Sequence, residues 1–474
     1  MIPIEASAAA TPQQTSLYES QPKIYPRSVK GRFATWRWVF VWITQIVFYG
    51  LPWMSWNDRQ AVVFDLAARK FYLFGLVLWP QDFIYLTGLL IVCALSLFLF
   101  TAVAGRLWCG YACPQTVYTE LFLWIEKFFE GDRQARIKLD AAPWSLRKLA
   151  RKGGKQLGWI GLSLWTGYTF VGYFTPIRVL ASELAAFSLG PWETFWVLFY
   201  GFATYSNAGY LREQICKLMC PYARFQGAMF DKDTLIITYD QVRGEPRRPR
   251  ARKQEGLAPA GDCVECSLCV QVCPTGIDIR DGLQVGCIGC AACIDVCDTV
   301  MDKIGSPRGL IRYSTERAMA ERSNSTLSIL RRLMRPRVML YSIILVLLSS
   351  ALMFSLIWLR KPFKADIIRD RGALARVVER GYVENTYTLR LMNTTEQAQR
   401  YHFDVSGLPG LSLTSEADIS VPATDSRAVA VRLQVPPDSV PPGSHAIKFH
   451  IRAIVPDGQK GAEIEERAAF LMPM

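Results

Sequence analysis

With 474 residues, 51% of them hydrophobic and 14 tryptophans and 25 phenylalanines among them, the chain is longer than one ordinary domain and too apolar for a soluble protein, so a multidomain membrane protein is expected. The formal charge of +13 would suit nucleic acid, but the Lys and Arg residues collect beside apolar runs, as in the cytoplasmic loops of membrane proteins, and no nucleic-acid partner is expected. The three histidines, His402, His445 and His450, all lie in the last quarter, which excludes bis-histidine haem inside a membrane, and no Cys-x-x-Cys-His haem attachment is present.

Residues 1–34 read as a flexible cytoplasmic tail: Pro3, Pro12, Pro22 and Pro26 interrupt it, and it holds no apolar core of signal-peptide length. Apolar runs long enough for a ~30 Å hydrocarbon layer follow at 38–54, 83–104, 157–177, 194–211 and 338–359. The expectation is a five-helix transmembrane bundle, four of its helices within 35–240 and the fifth at 338–360. The stretch 61–80 is apolar but broken by Asp65, Arg69 and Lys70, which predicts an interfacial hairpin or short helix instead of a sixth span. Cys93, alone in the second run, reads as packing.

Topology follows from charge. Segment 105–156 holds ten Lys and Arg, 55–81 three and 179–190 none. This puts the amino terminus, 105–156 and 212–337 in the cytoplasm and 361–474 outside, as the positive-inside rule requires. Arg331, Arg332, Arg335 and Arg337 ahead of the last span agree.

A Cys-x-x-x-Cys-Pro signature occurs twice, as Cys109 to Pro114 and Cys216 to Pro221, each time after an outward-to-inward span. Positions i and i+4 share one helix face, so each pair is expected to present two thiols to one point, with proline ending or bending the helix behind them. If the two helix ends meet, four thiolates converge. Soft thiolates suit Cu(I), zinc or iron–sulfur iron, and a redox-active dithiol pair is equally allowed.

A basic linker at 241–260, with Arg243, Arg247, Arg248, Arg250, Arg252 and Lys253, leads into the densest cysteine pattern. It reads Cys263-x-x-Cys266-x-x-Cys269-x-x-x-Cys273-Pro274, then Cys287-x-x-Cys290-x-x-Cys293-x-x-x-Cys297. Two zinc sites could use Cys-x-x-Cys pairs, but two complete four-cysteine runs suit zinc ribbons poorly. They match the bacterial two-cluster ferredoxin, in which the fourth cysteine of each run crosses to the other cluster. Residues 261–305 are thus expected to bind two [4Fe–4S] clusters, one on Cys263, Cys266, Cys269 and Cys297, the other on Cys273, Cys287, Cys290 and Cys293. Asp298 stands where the second run would usually carry proline. Twelve such cysteines should face a reducing compartment.

After a cytoplasmic linker at 306–337 and the fifth span, residues 361–474 alternate in the manner of strands. Ile447, Phe449 and Ile451 share one face and Lys448, His450 and Arg452 the other. Similar alternation at 385–392, 400–405, 427–435 and 463–471, punctuated by Gly/Pro turns, predicts an immunoglobulin-like β-sandwich with His402 and His450 toward solvent or a partner.

Trp108-Cys-Gly-Tyr-Ala-Cys-Pro-Gln115, Cys216 to Gln226, Gly261 to Asp302, and Pro307-Arg-Gly-Leu-Ile-Arg-Tyr-Ser-Thr315 together resemble the cytochrome c oxidase accessory protein family, called CcoG, FixG or RdxA. The resemblance covers nearly the whole chain. It implies a bacterial inner-membrane protein with a cytoplasmic ferredoxin unit and a periplasmic immunoglobulin-like domain, acting in biogenesis of the cbb3-type cytochrome oxidase by reducing Cu(II) to Cu(I). It implies a copper-handling role for Cys109, Cys113, Cys216 and Cys220, and copper chaperones and oxidase subunits or assembly factors as partners. Electron relay with the quinone pool and a non-enzymatic assembly scaffold are the alternatives. No Gly-x-Gly-x-x-Gly dinucleotide loop is present, so a separate electron donor is expected.

Overall fold

The computed structural model describes residues 23–248, 261–321, 334–370, 375–437, 439–454 and 461–473. Most of the predicted tail, the linker residues Arg250, Arg252 and Lys253, and Arg331 and Arg332 lie outside the described residues. The chain divides into two compact units, one of 1–40, 104–159 and 207–323, the other of 41–103, 160–206 and 324–474.

In the first unit the ferredoxin segment carries a short helix, Leu268–Gln271, and a longer one, Ala292–Ile304. Both start from a residue in the left-handed region, Ser267 at φ 54° and Ala291 at φ 58°. The shared geometry marks the two cysteine runs as structural repeats. A left-handed non-glycine residue costs about 1–2 kcal/mol, and it is held here by packing, Ala291 being fully buried. The strands Ile236–Tyr239 and Ile311–Ser314 pair antiparallel across the unit, Ile236 opposite Ser314 and Tyr239 opposite Ile311. Ile237, Tyr239, Ile279, Ile294, Met301 and Ile311 form one buried cluster, so the ferredoxin core draws on chain from both sides of 261–305.

The unit also holds the helices Pro114–Glu130 and Arg133–Ala141 and the beginning of Leu146–Val171. Glu126 and Glu130 are buried on this assembly, and each faces at least two cations, Lys155 reaching both. Glu126 pairs with Arg136 at 2.7 Å and Arg212 at 3.2 Å, and Glu130 with Lys155 at 2.9 Å and Lys152 at 3.1 Å.

In the second unit, two helices among the described residues are long and apolar enough to cross a membrane, Pro80–Ala104 and Pro336–Leu359. The other three predicted spans coincide with the helices Arg32–Gly50, Leu146–Val171 and Pro191–Ser206. Length and composition alone do not single those three out. The first and second carry Arg and Lys, and the 16 residues of the third rise only about 24 Å before a π-helical turn at Asn207–Leu211.

The stretch 61–80 forms a three-stranded antiparallel sheet, Val62–Asp65, Lys70–Leu73 and Leu76–Leu78. The charges that interrupt its apolar run make its turn and its anchor. Asp65 Oδ1 accepts the Ala68 amide at 2.8 Å, Arg69 takes φ 55°, and Lys70 donates to Asp425 at 3.0 Å and lies over the Trp79 ring.

Residues 363–472 form a β-sandwich. One sheet orders Ser412–Leu413, Ser426–Val435, Val383–Asn393 and Phe363–Arg369, with Arg376–Val377 against Val383–Asn393. The other orders Asp418–Val421, Gln399–Ser406, Gly443–Ile454 and Glu463–Met472. Ile447, Phe449 and Ile451 are fully buried beside Tyr387, Leu389, Phe403 and Leu433. The two sheets are also clipped by polar groups. Tyr387 Oη donates to the Ala469 carbonyl at 2.9 Å, and buried Asn385 exchanges two hydrogen bonds with the Leu471 backbone.

Because Phe449 has no solvent-exposed surface, Phe449→Ala is expected to destabilise the sandwich by about 3–5 kcal/mol. Lys448→Ala on the opposite face should change stability little. Denaturation followed by the tryptophan-free sandwich's far-UV dichroism in a fragment of residues 361–474 checks the contrast.

Candidate metal centres

The eight ferredoxin cysteines line two cavities. One is walled by Cys263, Cys266, Cys269 and Cys297 together with Tyr239, Arg280 and Leu310. The other is walled by Cys273, Cys287, Cys290 and Cys293, with Ile277, Ile288 and Ala292, and Cys269 reaches it too. Cys266 is exposed, whereas Cys263, Cys269 and Cys290 are buried.

Burial pushes the Cys269 thiol up to about 11 and Cys287 and Cys297 up to about 12, and raises Cys290 and Cys293 as well. A thiol in apolar surroundings stays protonated unless a cation takes the proton's place. Sulfur donors converging from several directions on an apolar space wider than one ion fit an iron–sulfur cluster. Arg280 brings positive charge to the first cavity and is held by Asp278, Nε to Oδ1 at 2.8 Å. Asp298 is occupied elsewhere, accepting the Gly309 amide at 2.9 Å, so it fastens the return loop.

The cysteines of the two Cys-x-x-x-Cys-Pro motifs differ from the helical expectation. Cys109 lies in a short helix, Leu107–Tyr111, and Cys113 is the extended cap of the next, Pro114–Glu130. Cys216 lies in a π-helical turn, Ile215–Met219, and Cys220 caps Pro221–Met229. Each pair therefore straddles a break, and proline opens a helix instead of ending one. The reason is that proline restricts the preceding residue to extended backbone and is preorganised for the first helical position, where its missing N–H is not needed. Among the described residues no three Cys, His, Asp or Glu side chains close on one point as a mononuclear site would. The four thiols are thus a looser group than spacing on a continuous helix predicts.

They are nevertheless neighbours. Cys109 and Cys216 pack on the same buried cluster as Val272, Ile288, Cys290 and Ala292, the last three of which wall the second ferredoxin cavity. Burial raises Cys109 to about 11 and Cys216 to about 12, and raises Cys113. Gln226, fully buried on the helix after the second motif, donates its amide to Cys109 Sγ at 3.3 Å and partly opposes the shift. Arg106, also buried, donates to the carbonyls of Cys287 at 3.0 Å, Ala223 at 2.9 Å and Val285. It joins both motif regions to the ligand loop. Arg106 and Gln226 escaped sequence reasoning: the arginine looked like one more topological charge, and nothing in the spacing marked the glutamine.

Cys93 is exposed on the helix Phe83–Ala104, in the other unit. The histidines make ordinary surface hydrogen bonds, His402 Nδ1 with Asp418 at 2.7 Å and His450 Nε2 with Ser406 at 2.9 Å.

Sulfur-lined paired cavities in one unit and a sandwich in the other define an iron–sulfur protein with an immunoglobulin-like module, and the family models agree. A 4Fe-4S dicluster domain matches residues 211–316, a 4Fe-4S binding domain 86–131, and the IG-like fold at the C-terminal of FixG 353–473. The chain is 39% identical over 459 residues to the nitrogen fixation protein FixG of Rhizobium meliloti, covering 90% of this chain and 86% of that one. Against the RdxB and RdxA proteins of Cereibacter sphaeroides it is 39% and 38% identical, covering 97% and 96% of this chain and 98% of each relative. It belongs to the FixG/RdxA family. Among solved structures, a FixG-related protein from Vibrio parahaemolyticus is 30% identical over 24% of this chain and all of its own, with a TM-score of 0.22.

The raised thiols have a measurable sign. In metal-free protein Cys109 and Cys216 are expected to alkylate at least roughly tenfold more slowly at about pH 8 than a free thiol, because the thiolate is the nucleophile. Their folded values exceed the ordinary 9.0. Their contribution to stability is therefore complete below pH 9.0 and is lost as pH rises through about 11 and about 12. Mass-spectrometric mapping of iodoacetamide labelling against pH checks the expectation; labelling as fast as in unfolded chain would contradict it.

Proposed function

We propose that this is a bacterial inner-membrane iron–sulfur protein that reduces Cu(II) to Cu(I) during biogenesis of cbb3-type cytochrome c oxidase. In this reading Cys263, Cys266, Cys269 and Cys297 hold one [4Fe–4S] cluster and Cys273, Cys287, Cys290 and Cys293 the other. Such clusters, when bound, supply single electrons. Cys109, Cys113, Cys216 and Cys220 receive copper as the substrate. The observation that carries the reading is the packing of Cys109 and Cys216 on the wall that contains Cys290. Cu(II) prefers nitrogen and oxygen donors and Cu(I) prefers sulfur, so a thiol site favours the reduced ion. Arg106 and Gln226 hold the site's shape: one ties the motif to the ligand loop and the other stabilises the Cys109 sulfur. Five helices span the membrane, the amino terminus and ferredoxin unit are cytoplasmic, and the sandwich is periplasmic. Copper chaperones and oxidase assembly factors or subunits are its partners, and a separate carrier supplies electrons.

A second reading is favoured by one observation. The 4Fe-4S binding-domain model takes in Cys109 and Cys113, so the four membrane-end thiols would hold a third cluster. Anaerobically purified protein should contain about eight irons per chain on the first reading and about twelve on the second.

Cys109→Ser with Cys220→Ser is expected to abolish Cu(II) reduction while leaving the ferredoxin spectra intact, because a hard, poorly ionised hydroxyl does not replace thiolate toward Cu(I). Cu(I)-chelator assays on dithionite-reduced protein measure this, and reduction at an unchanged rate would overturn the copper role. Reporters fused at residue 240 and after residue 360 should be active inside and outside respectively; activity on the same side would overturn the topology.

A further inference from the structure

The two ferredoxin cavities are not equivalent in what they touch. The first opens to solvent at Cys266. None of the cysteines of the second is exposed, and the first Cys-x-x-x-Cys-Pro motif packs against its ligand loop. Gly110, next to Cys109, is buried face to face with the ligand loop. A Cβ placed on it would lie 2.7 Å from the Gly289 carbonyl oxygen and 2.9 Å from the Cys290 Cα. Gly289, at φ +70°, meets Arg106 in the same way, with a Cβ position 2.9 Å from the Arg106 carbonyl oxygen. Two backbones thus approach with no side chain between them, a distance only glycine permits. The Arg106 hydrogen bonds to Cys287 and Val285 clamp this contact, and Tyr313 Oη donates to the Gly289 carbonyl at 2.7 Å from the far side. Cys269 lines both cavities, so the path from the first cavity to the second runs through a shared wall.

We propose that electrons travel in one order: in at the Cys266 cavity from a separate one-electron carrier, across Cys269 to the cavity of Cys273, Cys287, Cys290 and Cys293, and out across the Gly110–Gly289/Cys290 contact to the four thiols. The inference rests on the copper-reduction reading and adds its direction and its crossing point. Each turn moves one electron to one copper. The reduced carrier loses one electron, the clusters that Cys263, Cys266, Cys269 and Cys297 and that Cys273, Cys287, Cys290 and Cys293 would hold would carry it singly, and Cu(II) on the thiols becomes Cu(I); the thiol protons displaced as copper binds return when it leaves. Gly110 is a positioning residue, acting through how closely it lets Cys109 and Cys290 approach.

The test uses the full chain in detergent with both clusters loaded. Co(II), paramagnetic and not reduced by dithionite, is added as the probe, and its binding to the thiols is followed by the cobalt–thiolate absorption band. In Cys266→Ser, which removes the first cluster, the remaining EPR signal belongs to the second. That signal is expected to need clearly higher microwave power for saturation once Co(II) binds, and by more than the signal assigned to the first cluster in wild type. Equal effects, or a stronger effect on the first cluster, would overturn the order. Absence of the cobalt–thiolate band would remove the metal-site reading and the inference with it, so the two failures are distinguishable. The second arm is kinetic. Gly110→Ala and Gly110→Val are expected to slow reoxidation of the dithionite-reduced clusters by Cu(II) severalfold, Val more than Ala, since electron transfer falls off exponentially as the gap widens. Cluster spectra and cobalt binding should be unchanged. An unchanged rate in both variants would overturn the crossing point.

Discussion

A thiol removed from water resists losing its proton, and the first unit depends on that resistance. Burial holds Cys269, Cys287 and Cys297 at about 11 to about 12. The neutral cavities are apolar, so they pack like ordinary core: Cys263 and Cys269 sit in one hydrophobic cluster with Ile237 and Met301, and Cys290 in another with Val272 and Ile288. Once a metal centre takes the protons' place, the same walls exclude water from it, and polar side chains are few: Tyr239, Ser267 and Arg280 at the first cavity and Thr275 at the second. The same physics governs the Cys-x-x-x-Cys-Pro pairs, where Cys109 and Cys216 share the Cys290 wall.

The parts around this core are held by a few buried polar contacts whose partners are far apart in sequence. Asp295, on the second ferredoxin helix, accepts the amides of Phe33 at 3.1 Å and Ala34 at 2.7 Å. It thereby caps the helix Arg32–Gly50, whose own sequence supplies no acidic first turn. Orphan amides at a helix start require such an acceptor. Arg37, one turn on, pairs with Glu120 at 3.4 Å, and the Glu126 and Glu130 pairs fasten the helices that follow the first motif. Removing one member of such a pair would leave a buried charge without its partner, which is costly.

What the sequence made legible follows from which interactions are local. Strand alternation is written residue by residue, so the main sandwich strands were readable, while Phe363–Arg369 and Asp418–Val421, set by pairing with distant strands, were not. Asp65, Arg69 and Lys70 announced the turn in 61–80 because breakers act locally. The i, i+4 rule misplaced the Cys109 and Cys216 pairs because it assumes one helix, and Pro114 and Pro221 each open another. The count of Lys and Arg in 105–156 carried a topological signal, yet Arg106, Arg136, Lys152 and Lys155 also serve as buried partners. Composition cannot separate those duties, since both place cations in the same segment.

The interleaving of the two cysteine runs has a consequence for how the protein is made. The first cavity takes its last wall from Cys297 and the second takes one from Cys273, so neither run encloses a space by itself. During synthesis, at about 5–20 residues per second, the earlier run must wait for the later one: both chambers need the helix Ala292–Ile304, and the first also needs Leu310 and Ile311 beyond it. Truncation anywhere before that helix leaves two open half-shells. The ferredoxin unit is accordingly a single indivisible object, like two links of a chain that can only be closed by the same weld.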